Sequence, residues 1–329
     1  MARTRLITIG GFDHVEAVYI GGGRPPLIQT MWKDRLSAAD LEGPGGQALL
    51  ERIGRLRAMG CGLLRFAVPD LQAAELLGTL ASRVSLPLVA DIHFDYRLAL
   101  RCLDFPIAKI RINPGNIGGR DRVKAVLAKA KARGRPIRVG VNAGSLPQDL
   151  RLALEQGKLD RPTALVEAAV RELAIFREFD LPDCLVSMKA SGIADTIQAN
   201  RLFSERGYSL AEGAVPLHVG VTEAGPLVAG VVRNTAALLE LLGAGIGDTI
   251  RVSLSDSMEN EVIAAREILA ALPGGRPSGI TIVSCPRCGR NSFDTHGFTA
   301  RWLSRLYSLP TKATVAIMGC EVNGPGEAR

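Results

Sequence analysis

Aromatic side chains are scarce in this chain, at 5% of 329 residues, so its core has to be packed from aliphatic groups. Long apolar runs are missing too. Nowhere do the ~18 uninterrupted apolar residues of a membrane-spanning helix occur, which excludes a helical membrane protein. The start, Met1-Ala2-Arg3-Thr4-Arg5, is basic, but the apolar stretch behind it is broken by Gly10 and Gly11 and ended by Asp13. That makes a poor secretory signal, and the expected location is cytoplasmic. There is no low-complexity tract, and 47% hydrophobic against 22% charged residues excludes a disordered chain. No segment interleaves basic with aromatic residues, so the net charge of +7 reads as a solvated basic surface or an anionic ligand, not as nucleic-acid binding.

Cysteine is sparse, with six in the chain, yet half of them converge near the end. Cys285-Pro286-Arg287-Cys288 is answered by Gly319-Cys320-Glu321-Val322-Asn323-Gly324-Pro325-Gly326-Glu327. Two thiolates three positions apart can bite one metal centre from a single turn, and a distant third closes the site. A fourth cysteine is missing, which leaves Glu327 and His296 as local candidates. Zinc and iron-sulfur both remain open at this point. A structural zinc site is normally closed by Cys or His, whereas a reactive cluster can use a weak ligand at one metal. Cys61, Cys102 and Cys184 have no partner spacing and read as small core residues.

Short aliphatic and β-branched runs recur at 27–31, 63–68, 88–92, 108–113, 137–142, 185–189, 217–221 and 249–254. They are apolar on both faces, as strands of a covered parallel sheet are. Between them lie 3.6-residue patterns such as Leu49, Ile53, Leu56 and Met59; Leu165, Ala169, Leu173 and Phe176; and Val262, Ala265, Leu269 and Leu272. Strand and helix alternating in this way predict an α/β chain folded as a (β/α)8 TIM-type barrel, with a doubly wound open sheet as the alternative. Pro273 to Gly279 reads as a linker. Beyond it, strands at 280–284 and 314–318 flank a helix from about Phe293 to Leu306, and each strand runs toward a cysteine. The expected division is therefore a substrate-binding barrel over 1–272 and a small α+β domain over 273–329.

Arg65, Asp91, Arg111, Asn113, Asn142, Lys189, Glu223, Arg251 and Ser253 fall in or just after predicted strands, toward the end where barrel active sites form. Burying several such groups together is costly unless a ligand compensates them. With Arg138 added, cations outnumber Asp91 and Glu223, so the mouth predicts an anionic ligand, with guanidinium groups suited to phosphate.

Strings such as Val89-Ala90-Asp91-Ile92-His93-Phe94-Asp95-Tyr96-Arg97, Arg111-Ile112-Asn113-Pro114-Gly115-Asn116, Gly220-Val221-Thr222-Glu223-Ala224-Gly225 and Cys285-Pro286-Arg287-Cys288-Gly289-Arg290 closely resemble the 4-hydroxy-3-methylbut-2-en-1-yl diphosphate synthase family. The resemblance runs along nearly the whole chain. It implies a reductive ring opening and dehydroxylation of 2-C-methyl-D-erythritol 2,4-cyclodiphosphate in the non-mevalonate isoprenoid pathway. It further implies a [4Fe-4S] cluster held by Cys285, Cys288, Cys320 and Glu327, and a substrate held by Arg65, Asp91, Arg111, Asn113, Arg138, Asn142, Lys189, Arg251 and Ser253. Glu223 is the candidate proton donor, while His93 and His218 read as supporting or packing residues. A flavodoxin- or ferredoxin-type electron donor and a homodimer, one subunit's cluster domain closing the other's barrel, are also implied. A redox-silent transferase barrel with a zinc knot of Cys285, Cys288, His296 and Cys320 is the competing reading.

Two features depart from the family pattern. Trp32-Lys33-Asp34-Arg35 stands where the family usually has a Thr-Asn-Thr segment, and the chain stops at Ala328-Arg329 where relatives continue. A shortened cluster domain is the expectation from the second.

Overall fold

A computed structural model describes residues 3–275 and 279–320. An antiparallel hairpin of β1 (Ile7–Ile9) and β2 (Val18–Ile20) opens the chain. Eight parallel strands follow: β3 (Leu27–Met31), β4 (Cys61–Ala67), β5 (Leu88–Ile92), β6 (Lys109–Ile112), β7 (Ile137–Asn142), β8 (Cys184–Lys189), β9 (His218–Val219) and β10 (Thr249–Ile250). Each pairs with its successor from β3 to β8, and β10 pairs with both β9 and β3. A parallel bridge between Val186 and Leu217 joins β8 to the approach of β9, so the sheet closes into a barrel and not an open doubly wound sheet. Among the described residues no helix is long and apolar enough to cross a membrane.

The barrel follows from residue choice. All five residues of β5, Leu-Val-Ala-Asp-Ile, are buried, as a strand covered on both faces requires. Helix Arg161–Glu178 is opened by the Asp160 side chain, which accepts from Thr163 N–H at 2.8 Å, with Pro162 in the first turn. It buries Leu165, Ala169, Leu173 and Phe176 against the strands. Helix Met258–Ala270 buries Val262 and Ala265, but it ends before Leu272, because Pro273 disfavours helical backbone in the residue ahead of it.

Two outcomes differ from the sequence pattern. β9 and β10 are two residues each, because both chains leave the ladder early to build the mouth. Val221 N–H turns to Asn234 Oδ1 at 3.1 Å and Leu254 N–H to Glu261 Oε1 at 3.0 Å. The hairpin has no counterpart in the sequence pattern either. Its Ile7, Ile9, Val15 and Ile20 pack on Leu63, Val89, Ala108 and Leu185, so it plugs the amino-terminal end of the barrel, and ligand access is left to the opposite end.

After the barrel, β11 (Thr281–Ser284) and β12 (Thr314–Ile317) form a parallel pair connected through helix Thr295–Tyr307. Arg266, on the last barrel helix, ties this unit down. Its guanidinium donates to Tyr307 O at 2.9 Å and Ile280 O at 3.2 Å, and Tyr307 O–H donates to Glu267 Oε1 at 2.8 Å. The plug gives a direct stability test. Truncating fully buried Ile9 to Ala should cost about 2–5 kcal/mol in urea unfolding, and a loss below ~0.5 kcal/mol would show that the hairpin does not seal the barrel.

Candidate active site

At the carboxyl end of the strands a cavity of about 220 Å³ is lined by Met31, Arg65, Asp91, His93, Arg111, Arg138, Val141, Asn142, Ser187, Lys189, Thr222, Arg251 and Ser253. Eight of the sequence-predicted residues meet here. Asn113 is buried directly after β6 but does not line the cavity, and its amide nitrogen is left without a partner. Glu223 is exposed at the rim after Thr222, on left-handed backbone at φ +53°, outside the lining. His93 does line it, whereas His218 lies fully buried below, bonded to Thr249 Oγ1 at 2.7 Å through Nδ1.

Asp91 organises the cationic wall. Arg111 Nη1 donates to its Oδ1 at 2.9 Å, Arg65 Nε lies 3.5 Å from its Oδ2, and Arg111 Nη1 also meets His93 Nε2 at 2.7 Å. Burial alone would raise the Asp91 carboxyl, but Arg65, His93 and Arg111 outweigh it and hold the group far below the usual range. Two glycines make room. A Cβ at Gly140 would overlap the Arg111 guanidinium, and one at Gly220, where φ is +144°, would strike Arg251 O and approach Lys189 Nζ.

One carboxylate cannot balance this wall. Burial, aided by neighbouring guanidinium groups, drives Arg65 down to about 10 and pulls Arg138, Lys189, Lys109 and His218 well below their ordinary values. Arg138 is 1% exposed, yet its Nε and Nη1 have no hydrogen-bond partner, and Arg111 Nε is likewise unpaired. Donors held apart and unsatisfied in a cavity match an anion with several oxygens. Lys109, bonded to Gln29 Oε1 at 3.3 Å, forms with Arg138 and His218 a polar layer under the mouth. Its position within the apolar run of β6 hid it from sequence reading.

The expected metal ligands lie elsewhere in the chain. Cys285 follows β11, its N–H donating to Ile317 O at 3.0 Å, and Cys320 comes shortly after β12, so parallel pairing delivers both to the same sheet end. Cys288 is exposed, and the Cys-x-x-Cys loop carries Arg287 at φ +76°. Among the described residues no three His, Cys, Asp or Glu side chains gather closely enough to hold a metal ion, and Glu327 lies outside the described residues. The other three cysteines are core, as expected: burial pushes Cys61 and Cys102 up to about 12 and Cys184 higher still, which makes them unreactive.

A family model described as the GcpE TIM-barrel domain matches residues 13–266, and one described as the GcpE protein C-terminal domain matches 281–329. The chain belongs to the GcpE family. Among GcpE relatives, the protein named 4-hydroxy-3-methylbut-2-en-1-yl diphosphate synthase (flavodoxin) of Treponema pallidum is 52% identical, covering 99% of this chain and 80% of the relative. Its namesake in Treponema denticola is 48% identical over 99% of this chain and 85% of the relative. Among solved structures, a type I 3-dehydroquinate dehydratase from Clostridium difficile aligns with a TM-score of 0.51 at 10% identity, covering 80% of this chain and 98% of that one. A dihydropteroate synthase from Thermus thermophilus aligns at 0.50 and 17%, covering 80% and 96%. At those identities the two structures speak for the barrel alone.

The depressed Lys189 gives a pH test. An anion bound beside it raises its pKa again, so binding takes up protons at any pH between the free-state and bound-state values, and affinity is greatest below the free-state pKa and falls as pH rises through the bound-state value. Calorimetry of pyrophosphate binding in buffers of different ionisation enthalpy should register this uptake above the ligand's own. Equal uptake in wild type and Lys189→Met would contradict it.

Proposed function

We propose that this chain reduces 2-C-methyl-D-erythritol 2,4-cyclodiphosphate to 4-hydroxy-3-methylbut-2-enyl diphosphate, a step of isoprenoid biosynthesis. The observation that carries the reading is the cavity of guanidinium and ammonium groups at the barrel mouth, with guanidinium N–H groups of Arg111 and Arg138 left unsatisfied, in a chain whose relatives are named synthases of that product. Two electrons and two protons enter, the ring C–O bond and the adjacent C–OH bond break, and water leaves.

The residues divide the work by chemistry. Arg65, Arg111, Arg138, Lys189 and Arg251 grip the phosphoryl oxygens, and Asn142 and Ser253, with Asn113 buried just outside the lining, orient the substrate's ring. Asp91 keeps Arg65 and Arg111 in register and stays ionised while doing so. Glu223, at the rim beside Thr222, is assigned to protonate the departing hydroxyl.

Three thiols near one end of a parallel strand pair suit iron in donor chemistry, and among the described residues no group in the barrel competes for it. Cys285, Cys288 and Cys320, with Glu327, would hold a [4Fe-4S] cluster in a small domain over 273–329, next to a substrate barrel over 1–272. Bound there, the cluster supplies electrons one at a time from a flavodoxin- or ferredoxin-type donor. The chain would work in the cytoplasm as a homodimer, with the partner's small domain closing the mouth and excluding water. The zinc-knot alternative finds no support: His296 is exposed on its helix, and the relatives are named synthases.

Anaerobically isolated protein should contain iron and acid-labile sulfide, absorb broadly near ~400 nm and turn over the cyclic diphosphate with a reductant. Cys320→Ser should lose the absorbance and the turnover while keeping its far-ultraviolet dichroism. Stoichiometric zinc without iron in the wild type, or unchanged iron in the variant, would defeat the assignment.

A further inference from the structure

The segment after β3 reaches the cation wall from behind. Trp32 N–H donates to Arg65 O at 2.8 Å, which prolongs β3 pairing past Met31, and the indole stacks on Phe66 with centroids 5.5 Å apart. Trp32 is buried, and the Arg52 guanidinium covers its other side at 5.1 Å. Lys33 is thereby aimed at the segment that follows the neighbouring strand β10. Its Nζ donates to Leu254 O at 2.6 Å and to Asp256 O, and lies 3.0 Å from Glu261 Oε1.

Glu261 is the hub of this contact. It is 1% exposed, in the first turn of helix Met258–Ala270. Oε1 accepts from Leu254 N–H at 3.0 Å and Arg251 Nη2 at 3.2 Å, and Oε2 accepts from Thr30 Oγ1 at 2.6 Å and Arg251 Nε at 3.4 Å. One carboxylate therefore faces two cations, Arg251 and Lys33. Paired with Arg251 alone, Glu261 would neutralise a cation that the anion cavity needs. With Lys33 present, the trio keeps one net positive charge, and Arg251 lines the cavity with it.

We propose that Lys33 and Glu261 are positioning residues for the reaction assigned above: Glu261 orients Arg251, while Lys33 offsets the Glu261 charge and clamps the 251–257 segment that carries Arg251 and Ser253. The proposal rests on the cyclic diphosphate reading and deepens it. Neither residue lines the 220 Å³ cavity, so both act through Arg251. Lys33 instead borders a neighbouring cavity of about 480 Å³, which shares Met31 and Arg251 with the first.

A double-mutant cycle on the holoenzyme tests it, read as KM and kcat for the cyclic diphosphate. Lys33→Met should raise KM about tenfold with a smaller change in kcat, and Lys33→Arg, which keeps the charge, should recover most of the loss. In an Arg251→Gln background, Lys33→Met should change KM by less than about twofold. Equal losses in both backgrounds, or no recovery by Lys33→Arg, would overturn the positioning role in favour of a general structural one. A wild-type holoenzyme that does not turn over the cyclic diphosphate would instead remove the functional reading, and this inference with it.

Discussion

Like charges held together away from water set the terms for the rest of this molecule. Arg65, Arg111, Arg138, Lys189 and Arg251 share one small cavity with Asp91, the single carboxylate among its described lining residues. Such a set is tolerated only because a closed barrel holds it: strand register places Asp91 beside Arg111 and Arg111 beside Arg138, so the groups cannot drift apart to relieve their repulsion. The sealed amino-terminal end and the aliphatic layer between strands and helices supply that rigidity. The same burial beside like charges holds Lys189, Lys109 and His218 below their ordinary pKa values.

The surrounding carboxylates show how the wall is tuned. Asp91 bonds directly to cations that line the cavity, while Glu261 sits behind it and shares its charge between Arg251 and Lys33. Burial alone would raise the Glu261 carboxyl, but Arg251, Thr30, the Leu254 N–H and Lys33 outweigh it and keep the group ionised. Positive charge is thus concentrated toward the cavity, the electrostatic preorganisation an anionic substrate needs. The cysteine-bearing unit is a separate piece of chemistry, joined to the barrel through Arg266, whose guanidinium bonds carbonyls on both.

Much of this was legible in the chain because barrel strands and their polar ends follow simple rules. Eight aliphatic runs became the eight barrel strands, and charged residues at their carboxyl ends became the cavity wall. What escaped had specific causes. Ile7 to Ile9 is only three residues long, and the glycines that argued against a signal peptide are the turn that makes a hairpin, Gly10 and Gly11 at φ +79° and +77°. Lys109 and Asn113 lie two residues before and two after Arg111, so position along the barrel axis, which pattern counting does not resolve, decides that Arg111 lines the cavity and they do not. Trp32 and Lys33 matched no expected motif, since their partners Phe66 and Glu261 are distant in sequence and close only after the barrel closes. Glu223 was read from its place after a strand, but the early exit of β9 leaves it at the rim.

The barrel gives up stability to keep this cavity positive for a diphosphate. Thermal unfolding of Arg138→Met, alone and with the cyclic diphosphate, tests it most directly, because Met removes an incompletely paired buried charge while nearly preserving volume. The variant should be more stable than wild type without ligand and no longer stabilised by it. A variant that is less stable than wild type and still gains stability from the ligand would contradict it.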